Sequence, residues 1–332
     1  MAGKKYKVYY IGHRNSANSV DTVEELDKAG AELVPLPRLN DEDEIIRQAQ
    51  DADALIVTES PITRRVLAAL TQCKAVLRTG VGYDCIDVDA ATDHGIAVIN
   101  VPDLWNREVA NHAVALLLAC NRALLGLNRD VRNGRWGPLM SGHVGSIHGE
   151  TVGVLGLGRI GSFFAQRMAS FEVELVAYDP YIPESAFEAV CAKAVSFDEL
   201  LERSDYVSVH MPLTEESHHL VDEPALRKMK ETSYLINTSR GPVVDEAALI
   251  KALQGKWIQG AGLDVLDKEP PAPENPLLHM ENVVLTPHTA HQSDLSIRLR
   301  PRRYGAEIAA VLNGRKPMHL VNPPVLDALQ LR

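Results

Sequence analysis

The sequence predicts an α/β protein built from two doubly wound parallel sheets, Rossmann-like or flavodoxin-like, with a cleft between the two domains. Short apolar runs alternate with amphipathic helical patterns along the chain, and this alternation is typical of parallel sheets covered by helices on both faces. The alternation stops once, at Val101-Pro102-Asp103, and resumes after a long helical run. At 332 residues the chain is also too long for one ordinary domain and suggests about two.

The first series of elements lies before this break. Strands are predicted at Lys7–Ile11, Glu32–Leu36, Ala54–Thr58, Ala75–Arg78 and Ala97–Asn100. Helices are predicted between them at Val20–Ala29, Asp41–Gln50 and Thr63–Leu70. This order of elements predicts one complete α/β unit in the first hundred residues.

The second series follows a long helix that is predicted at Glu108–Leu127. Strands are predicted at Thr151–Leu155, Glu174–Tyr178, Tyr206–His210, Tyr234–Asn237, Gly260–Asp264 and Val283–Leu285. A helix is predicted again at Ser293–Leu312, with a kink or break at Pro301, because proline lacks an amide donor and clashes with the preceding turn. An irregular tail is predicted after it.

Composition narrows the class of protein further. The net charge of −10 disfavours nucleic acid and anionic membranes as partners, since both repel an acidic surface. The longest apolar stretch, Ala113–Cys120, is far shorter than the ~20 residues that span a bilayer. The four cysteines are scattered, and no histidine pair has metal-ligand spacing, so we expect reduced thiols, no metal site and a cytoplasmic protein.

A glycine pattern marks a dinucleotide site. Gly156, Gly158 and Gly161 form GxGxxG between the strand Thr151–Leu155 and a helix predicted at Arg159–Ser170. In this context the glycines permit a tight turn, close approach of the backbone to a pyrophosphate and close helix–strand packing, while the helix N-terminus attracts the phosphates. Asp179 follows the third glycine by 18 residues, where a carboxylate accepts hydrogen bonds from a ribose diol and repels a 2′-phosphate. The pattern predicts NAD as cofactor, in preference to NADP.

Three polar clusters stand at the ends of the later strands. They are Asn237–Gly241, Gly262–Pro270 and Thr286–Ala290, and they contain Arg240, Glu269 and His288 respectively. Ligands of open α/β sheets bind at the carboxyl ends of strands. A cation, a carboxylate and a histidine that converge there can bind an anionic carbonyl compound and move a proton.

With these motifs the chain closely resembles the D-isomer-specific 2-hydroxyacid dehydrogenase family, over nearly its whole length. Arg78-Thr-Gly-Val-Gly-Tyr-Asp84 and Ser208-Val-His-Met-Pro-Leu-Thr214 add to the resemblance. The family pattern implies a discontinuous substrate-binding domain, residues 1–103 plus 292–332, and an inserted NAD-binding Rossmann domain, residues 104–291. It also implies hinges near Glu108–Leu127 and Ser293–Leu312, and a homodimer formed mainly through the cofactor domain, including the segment around Leu124–Gly137.

The resemblance also implies residue roles. Arg240 binds and polarises the substrate, His288 is the acid and base, and Glu269 orients His288 and stabilises its imidazolium form. Predicted cofactor contacts are Gly156, Gly158, Arg159, Ile160, Gly161, Asp179, His210, Pro212, Asn237, Thr238, Ser239, Asp264, His288 and Ala290. Predicted substrate contacts are Gly80, Val81, Gly82, Arg240, His288 and His291.

The chain departs from the family pattern at two points. Asn111 stands where the family often has a glutamate, and we expect it to keep a polar contact without the charge. His291 stands where many members carry glycine or an aromatic residue. A ring that faces the substrate would suit a polar or acidic side chain, and a ring that points to solvent is equally compatible with the sequence.

The implied function is an NAD-dependent oxidoreductase that interconverts a small 2-oxo acid and its D-2-hydroxy acid, with that acid as its small-molecule partner. Phosphoglycerate dehydrogenase is one alternative, disfavoured because Glu59 stands where a base would be expected, although Arg64 and Arg65 are near in sequence. The chain also resembles the C-terminal-binding-protein subgroup. An NAD(H)-sensing scaffold or corepressor with little turnover is therefore a second alternative.

Overall fold

The computed structural model describes residues 5–12, 19–137 and 143–332. The chain divides into two compact units. The first comprises Met1–Leu104 and Ser293–Arg332, and the second comprises Trp105–Gln292. Each unit has its own sheet and its own hydrophobic core.

The first unit contains a sheet of five parallel strands in the order β2-β1-β3-β4-β5, an order typical of flavodoxin-like folds. The strands are β1 Tyr6–Ile11, β2 Ala31–Leu36, β3 Ala54–Val57, β4 Ala75–Arg78 and β5 Ala97–Ile99. The helices are Val20–Asp27, Glu42–Ala49, Arg64–Ala69, Val88–Asp93, Asp294–Leu312 and Val325–Leu329. All five strands predicted for this unit are confirmed within one or two residues.

The helices of the first unit begin where the sequence offers a capping side chain. Asp41, Thr63 and Asp87 each accept a hydrogen bond from the amide three residues ahead, which satisfies one of the free donors of the first turn. The central strand β3 is buried along its whole length, as expected for a parallel strand with helices on both faces.

The helix Asp294–Leu312 continues through Pro301, so a break there is wrong, and the alternative of a kink stays a prediction. Ser293 and Ser296 form a capping box that fixes its start, and Thr22 Oγ1 donates to the Pro301 carbonyl oxygen at 2.9 Å. Gly305 lets it approach the helix Val20–Asp27, since a Cβ atom there would lie 2.7 Å from the Thr22 carbonyl oxygen. These contacts hold the helix in place around its proline. The tail is not wholly irregular either, because Val325–Leu329 is helical.

The second unit contains a parallel sheet of seven strands in the order β12-β11-β10-β9-β6-β7-β8. The strands are β6 Thr151–Leu155, β7 Glu174–Tyr178, β8 Lys193–Ala194, β9 Tyr206–Val209, β10 Tyr234–Asn237, β11 Gly260–Leu263 and β12 Val283–Leu285. The α-helices are Asn106–Asn121, Leu124–Arg132, Arg159–Met168, Glu184–Glu188, Phe197–Arg203, Glu223–Lys228 and Glu246–Gln254. Short 3₁₀ helices cover Ala169–Phe171, Gly241–Val243 and Pro276–His279.

This strand order is that of a Rossmann sheet with one additional strand. The strands are parallel, and the direction in which successive strands are added to the sheet reverses between β6 and β9. Alternate residues of the central strands enter different cores, because successive side chains point to opposite faces. Val152 and Val154 contribute to one cluster and Leu155 to the other. Both faces of the sheet are therefore buried, and the ligand site is expected where the direction reverses.

Two predictions for the second unit need correction. The single helix Glu108–Leu127 is two helices, bent by 61° at a break where Ala123 has a left-handed backbone with φ 47°. The apolar periodicity continues across this break, so the sequence pattern does not reveal it. The edge strand β8 was missed because it has only two residues, both exposed.

Among the residues that the structure describes, no single helix is long and apolar enough to cross a membrane. The bent pair Asn106–Asn121 and Leu124–Arg132 satisfies the length and composition test only when its two members are taken together.

Candidate active site

The predicted cofactor and catalytic residues gather at the carboxyl ends of the strands of the second unit. The glycine loop, residues 156–161, runs from the end of β6 into the first turn of the helix Arg159–Met168, and the histidine segment, residues 286–291, follows β12. Residues 237–240 begin at the last residue of β10, and residues 264–269 follow β11.

Backbone geometry requires glycine at two positions of the glycine loop. Gly156 has φ +88°, which side chains rarely adopt, and a Cβ atom at Gly161 would lie 2.0 Å from the Gly156 carbonyl oxygen. Gly158 differs, because a Cβ atom there would meet no heavy atom of the described residues within 4 Å. Space is therefore left open directly at the helix N-terminus, where the first amides lack intrahelical acceptors. This cradle fits the pyrophosphate of a dinucleotide.

Asp179 fixes the outer side of the glycine loop. Its Oδ2 accepts a hydrogen bond from the Leu157 amide at 2.9 Å, and its Oδ1 accepts one from the Tyr181 amide at 3.0 Å. The side chain remains half-exposed at the end of β7. A half-exposed carboxylate beside this loop is placed to accept hydrogen bonds from a ribose.

Four further residues predicted to contact the cofactor lie around the glycine loop: Arg159, Ile160, Pro212 and His210. Arg159 and Ile160 open the helix after Gly158, and Pro212 lies beyond β9 with its carbonyl oxygen accepting from Ser217 Oγ at 2.6 Å. His210 lies at the end of β9, where burial lowers the pKa of its imidazole to about 3. Its Nε2 pairs with Ser208 Oγ at 2.9 Å, so His210 is a neutral polar group rather than a proton donor near pH 7.

The turn after β10 is closed by its own side chains. Asn237 Oδ1 accepts from the Ser239 amide and hydroxyl at 2.9 and 2.8 Å, while its Nδ2 donates to the Arg240 carbonyl oxygen at 2.9 Å. These bonds fix the backbone from which the half-buried Arg240 side chain projects, and Arg240 Nη1 donates to the Ser239 carbonyl oxygen at 2.8 Å. The buried Thr238 Oγ1 has no hydrogen-bond partner within residues 5–12, 19–137 and 143–332, so it can receive one from a ligand.

His288 contacts the carboxylate of Glu269, with 2.6 Å between His288 Nδ1 and Glu269 Oε2. Glu269 Oε1 also accepts from the Leu266 amide at 3.0 Å. Burial by itself raises the pKa of the Glu269 carboxyl. The hydrogen bond and charge of His288, the Leu266 amide and the charge of Arg240 outweigh burial and lower that pKa below its ordinary value. Ionised Glu269 orients the ring through Nδ1, so Nε2 is the ring nitrogen that Glu269 does not engage.

Asp264 anchors the backbone of the histidine segment. Its side chain is only 1% exposed, and its two oxygens accept from the Thr289 and Ala290 amides at 2.9 Å each. Thr286 Oγ1 donates to Asp264 Oδ1 at 2.5 Å and also lies 2.9 Å from His112 Nε2. The predicted cofactor contacts Asp264 and Ala290 are thus bonded to each other.

His291 lies beside the proposed acid. Its ring is edge-on to His288 and to Trp105, with 6.2 Å between ring centroids in each case. The ring is therefore adjacent to the His288 ring, which is compatible with the predicted contact to a substrate side chain.

The three other predicted substrate residues, Gly80, Val81 and Gly82, belong to the first unit. They follow β4, where the Gly80 carbonyl oxygen accepts from the Val101 amide at 2.9 Å and that of Val81 accepts from Asn100 Nδ2 at 2.7 Å. A Cβ atom at Gly80 would lie 1.2 Å from Arg78 Nη1, so glycine makes room for that guanidinium. This loop of the first unit is therefore fixed by backbone contacts.

Sequence reasoning missed two polar residues of this site, His112 and Thr286. Thr286 opens the cluster Thr286–Ala290, and His112 follows Asn111 on the predicted helix Glu108–Leu127. The only signal was a hydroxyl two residues before His288. Asn111 keeps the expected polar contact, since its Oδ1 accepts from Arg167 Nε at 2.5 Å.

Comparison with known proteins agrees with this geometry. Residues 114–290 match the family described as D-isomer specific 2-hydroxyacid dehydrogenase, NAD binding domain. The chain is 41% identical over 288 residues to a glyoxylate reductase of Korarchaeum cryptofilum, covering 85% of this chain and 86% of that protein. It is 38% identical to a D-3-phosphoglycerate dehydrogenase of Archaeoglobus fulgidus, covering 82% of this chain but only 51% of that protein.

A solved structure supports the same assignment over nearly the full length. The NADPH-dependent glyoxylate/hydroxypyruvate reductase of Sinorhizobium meliloti, in complex with NADP and malonate, superimposes with a TM-score of 0.86 at 30% identity, covering 97% of this chain and 98% of that one. The relatives and the matched NAD-binding domain confirm the resemblance, the fold class and the cofactor predicted from the sequence. The chain belongs to the D-isomer-specific 2-hydroxyacid dehydrogenase family, whose members are NAD(P)-dependent oxidoreductases, and NAD is its cofactor.

Proposed function

We propose that this protein reduces a small 2-oxo acid of the glyoxylate or hydroxypyruvate type to the D-2-hydroxy acid, using NADH. The observation that carries the proposal is the His288–Glu269 pair, 2.6 Å between Nδ1 and Oε2, beside a cation on the neighbouring loop. Relatives named glyoxylate reductase support this substrate class.

The cofactor is held in this proposal by the glycine loop, by Asp179 and by the turn after β10. The open space at Gly158 accepts the pyrophosphate, and Asp179 accepts hydrogen bonds from the adenosine ribose. When bound, the nicotinamide supplies the hydride in reduction and takes it up in oxidation. The half-exposed Asp179 carboxylate repels a 2′-phosphate, so we infer a preference for NAD over NADP.

His288 moves the proton in this proposal. Its Nδ1 is bonded to Glu269, so Nε2 donates a proton to the carbonyl oxygen during reduction and removes it from the hydroxyl during oxidation. Glu269 stabilises the imidazolium through an ionised carboxylate whose pKa is already lowered by the contact. The same pair therefore serves both directions of the reaction.

Arg240 anchors and polarises the substrate in this proposal. A guanidinium offers several donors in a planar fork, so it can bind a carboxylate and a carbonyl oxygen together. The first unit is the substrate-binding domain, and the amides near Val81 and Gly82 bind the substrate carboxylate. His291, next to the His288 ring, contacts the substrate side chain.

Oxidation of phosphoglycerate is the second candidate. The sequence disfavours it because of the charge of Glu59, and a contact in the first unit weakens that objection. Glu59, whose charge would repel a phosphate, pairs with Arg38 at 2.6 Å between Oε2 and Nη1. This ion pair offsets much of the repulsion. Arg64 and Arg65 are themselves paired with acids, so they contribute little additional attraction.

We also propose a homodimer formed through the helix Leu124–Arg132 and the residues after it. Leu124, Leu125, Val131 and Trp136 are all exposed there, Trp136 at 88%. Several large apolar side chains exposed on one short segment are typical of a protein interface. Light scattering on the wild type and on Trp136→Ser tests the proposal, since the variant should dissociate more readily.

The deciding experiment for the reaction is an NADH oxidation assay with glyoxylate, hydroxypyruvate, pyruvate and phosphohydroxypyruvate. We expect turnover with at least one of the first two acids, and binding of NADH is measured in parallel by fluorescence. Faster turnover with phosphohydroxypyruvate would establish the second candidate instead. Intact NADH binding with no turnover on any acid would favour an NAD(H)-sensing scaffold.

A further inference from the structure

Asp264, a buried residue of the second unit, accepts hydrogen bonds from three consecutive amides of the histidine segment. The His288 amide donates to the Asp264 carbonyl oxygen at 2.8 Å, and the Thr289 and Ala290 amides donate to its two carboxylate oxygens at 2.9 Å each. His288 itself has a left-handed backbone with φ 53°. Such a conformation is unfavourable in a non-glycine residue, so neighbouring contacts must hold it.

The Asp264 carboxylate is held in turn by a directional chain of hydrogen bonds. A carboxylate only accepts, so the single hydroxyl proton of Thr286 is donated to Asp264 Oδ1, 2.5 Å away. Thr286 Oγ1 must then accept the bond from His112 Nε2, 2.9 Å away. The contacts therefore fix the proton of the His112 ring on Nε2, and the chain runs from His112 to Thr286 to Asp264.

We infer that His112 and Thr286 are positioning residues for His288. They orient the Asp264 carboxylate, which holds the left-handed peptide at His288 and so directs its ring towards Glu269 and the substrate. This inference rests on the proposed function, because it assigns a role in proton transfer. It also gives Asp264 a task that is separate from contact with the cofactor.

The Thr286 hydroxyl can be separated from the packing of its methyl group by two variants. Thr286→Val keeps the methyl and removes the hydroxyl, whereas Thr286→Ser keeps the hydroxyl and removes the methyl. We expect kcat to fall about tenfold or more in Thr286→Val, because a small misplacement of an acid is costly. Thr286→Ser should stay within about threefold of wild type, and Kd for NADH should change less than about twofold in both variants.

The two melting temperatures separate a positioning role from a general structural one. Each variant loses one group from a half-buried site, so both should melt somewhat below wild type. If Thr286 positions His288, kcat falls in Thr286→Val, which lacks the hydroxyl, and not in Thr286→Ser, whatever the order of their melting temperatures. A kcat that tracks the melting temperature across the pair, or that is unchanged in Thr286→Val, would overturn the inference.

His112 is tested with a matched control on the same helix. His112→Leu removes the donor to Thr286. Asn111→Leu removes a hydrogen bond of the same helix, to Arg167, that is not part of the hydrogen-bond chain from His112 to Asp264. We expect kcat to fall about tenfold in His112→Leu and to change less than about twofold in Asn111→Leu. Equal losses in the two variants would contradict a specific role for His112.

A readout without turnover keeps this inference distinct from the proposed function. ¹⁵N-histidine NMR of the full chain, with His112 assigned by its loss in His112→Leu, reports which ring nitrogen carries the proton. We expect Nε2–H at His112, and we expect the His288 ring signals to shift in Thr286→Val but not in Asn111→Leu. If His112 Nε2 carries no proton, or if the His288 ring signals do not shift in Thr286→Val, the inference is overturned. This holds even for a protein that turns over no acid.

Discussion

The glycine loop and the histidine segment lie at the same edge of one sheet and are held by opposite means. In the glycine loop, small residues decide the geometry: Gly156 has φ +88°, and a Cβ atom at Gly161 would lie 2.0 Å from a carbonyl oxygen. In the histidine segment, hydrogen bonds decide it, and three successive amides end on Asp264.

This difference follows from what each part has to do. A loop that receives a charged ligand must leave donors free and space open, and Gly158 provides both at a helix N-terminus. A residue that moves a proton, the role we propose for His288, must be held within a fraction of an ångström, and His288 is bonded through its ring and through its backbone. Substitutions in the two parts should therefore separate binding of the cofactor from the chemical step.

The largest effect is expected from removing the proton-transfer group. His288→Ala should lower kcat for 2-oxo acid reduction by about 10³-fold, within the range for loss of a general acid. NADH affinity should change less than about twofold, because the glycine loop is untouched. Steady-state turnover and NADH fluorescence titration measure the two quantities. A parallel collapse of NADH affinity would show that the two parts of the edge are not separable.

Glu269→Gln should lower kcat by about 10²-fold, because the amide cannot stabilise an imidazolium as an ionised carboxylate does. The lowered pKa of Glu269 adds a stability prediction. A carboxyl whose folded pKa lies below its unfolded value of about 4.3 stabilises the fold above that pH, and this stabilisation is lost as the pH falls through the folded pKa.

Urea unfolding measures this contribution. The free energy of unfolding of wild type should exceed that of Glu269→Gln at pH 6, and the gap should narrow as the pH is lowered from about 5 towards 3.5. A gap that stays constant over this range would mean that ionisation of Glu269 does not contribute, and that the variant acts through packing alone.

Two glycines of the glycine loop provide a matched pair. Gly161→Ala forces a Cβ atom against the Gly156 carbonyl oxygen, so both stability and NADH affinity should fall, with a cost of about 1–3 kcal/mol or more for overpacking. Gly158→Ala places its Cβ in the open space, and Gly158 has φ −69°, which alanine adopts readily. Its melting temperature should match wild type within about 2 °C, while NADH affinity falls about tenfold.

The contrast between the two variants is the test. If Gly158→Ala binds NADH as tightly as wild type, the open space at the helix N-terminus is not where the pyrophosphate lies. Gly161→Ala with unchanged stability would show instead that the loop can shift to accommodate the new group.

The same contrast explains what the sequence could predict. The glycine loop was predictable because its signal is local: an apolar strand, three spaced glycines and a helical pattern within a short stretch. The bonds of the histidine segment are not local. Asp264 and Thr289 are 25 residues apart, and His112 and Thr286 are 174 apart, so no spacing rule connects them. Arg240, Glu269 and His288 were predicted from polar clusters at strand ends, and their individual roles were implied by resemblance to a family. Neither signal included the network behind them.

The misplaced helix boundary has a similar cause. The apolar pattern of Asn106–Asn121 continues into Leu124–Arg132, although Leu124, Leu125 and Val131 of the second helix are exposed. The left-handed backbone at Ala123 leaves no mark on the residue type, since alanine favours helices.

The smallest effect is expected at Asp179, which lies beside the glycine loop and which we propose contacts the adenosine ribose of the cofactor. Removing its charge should lower the preference for NAD over NADP by about tenfold, equivalent to about 1.4 kcal/mol. Asp179 also accepts the Leu157 amide, so Asp179→Ala loses a loop contact as well as the charge. Asp179→Asn loses the charge but keeps one oxygen acceptor. If charge sets the preference, both variants lower the ratio of Kd for NADP to Kd for NAD equally, and only Asp179→Ala weakens NAD binding further. An unchanged ratio in Asp179→Asn would mean that the shape of the loop, and not the charge of Asp179, sets the choice of cofactor. Because Asp179 accepts the Leu157 amide, the glycine loop would then depend on hydrogen bonds as the histidine segment does.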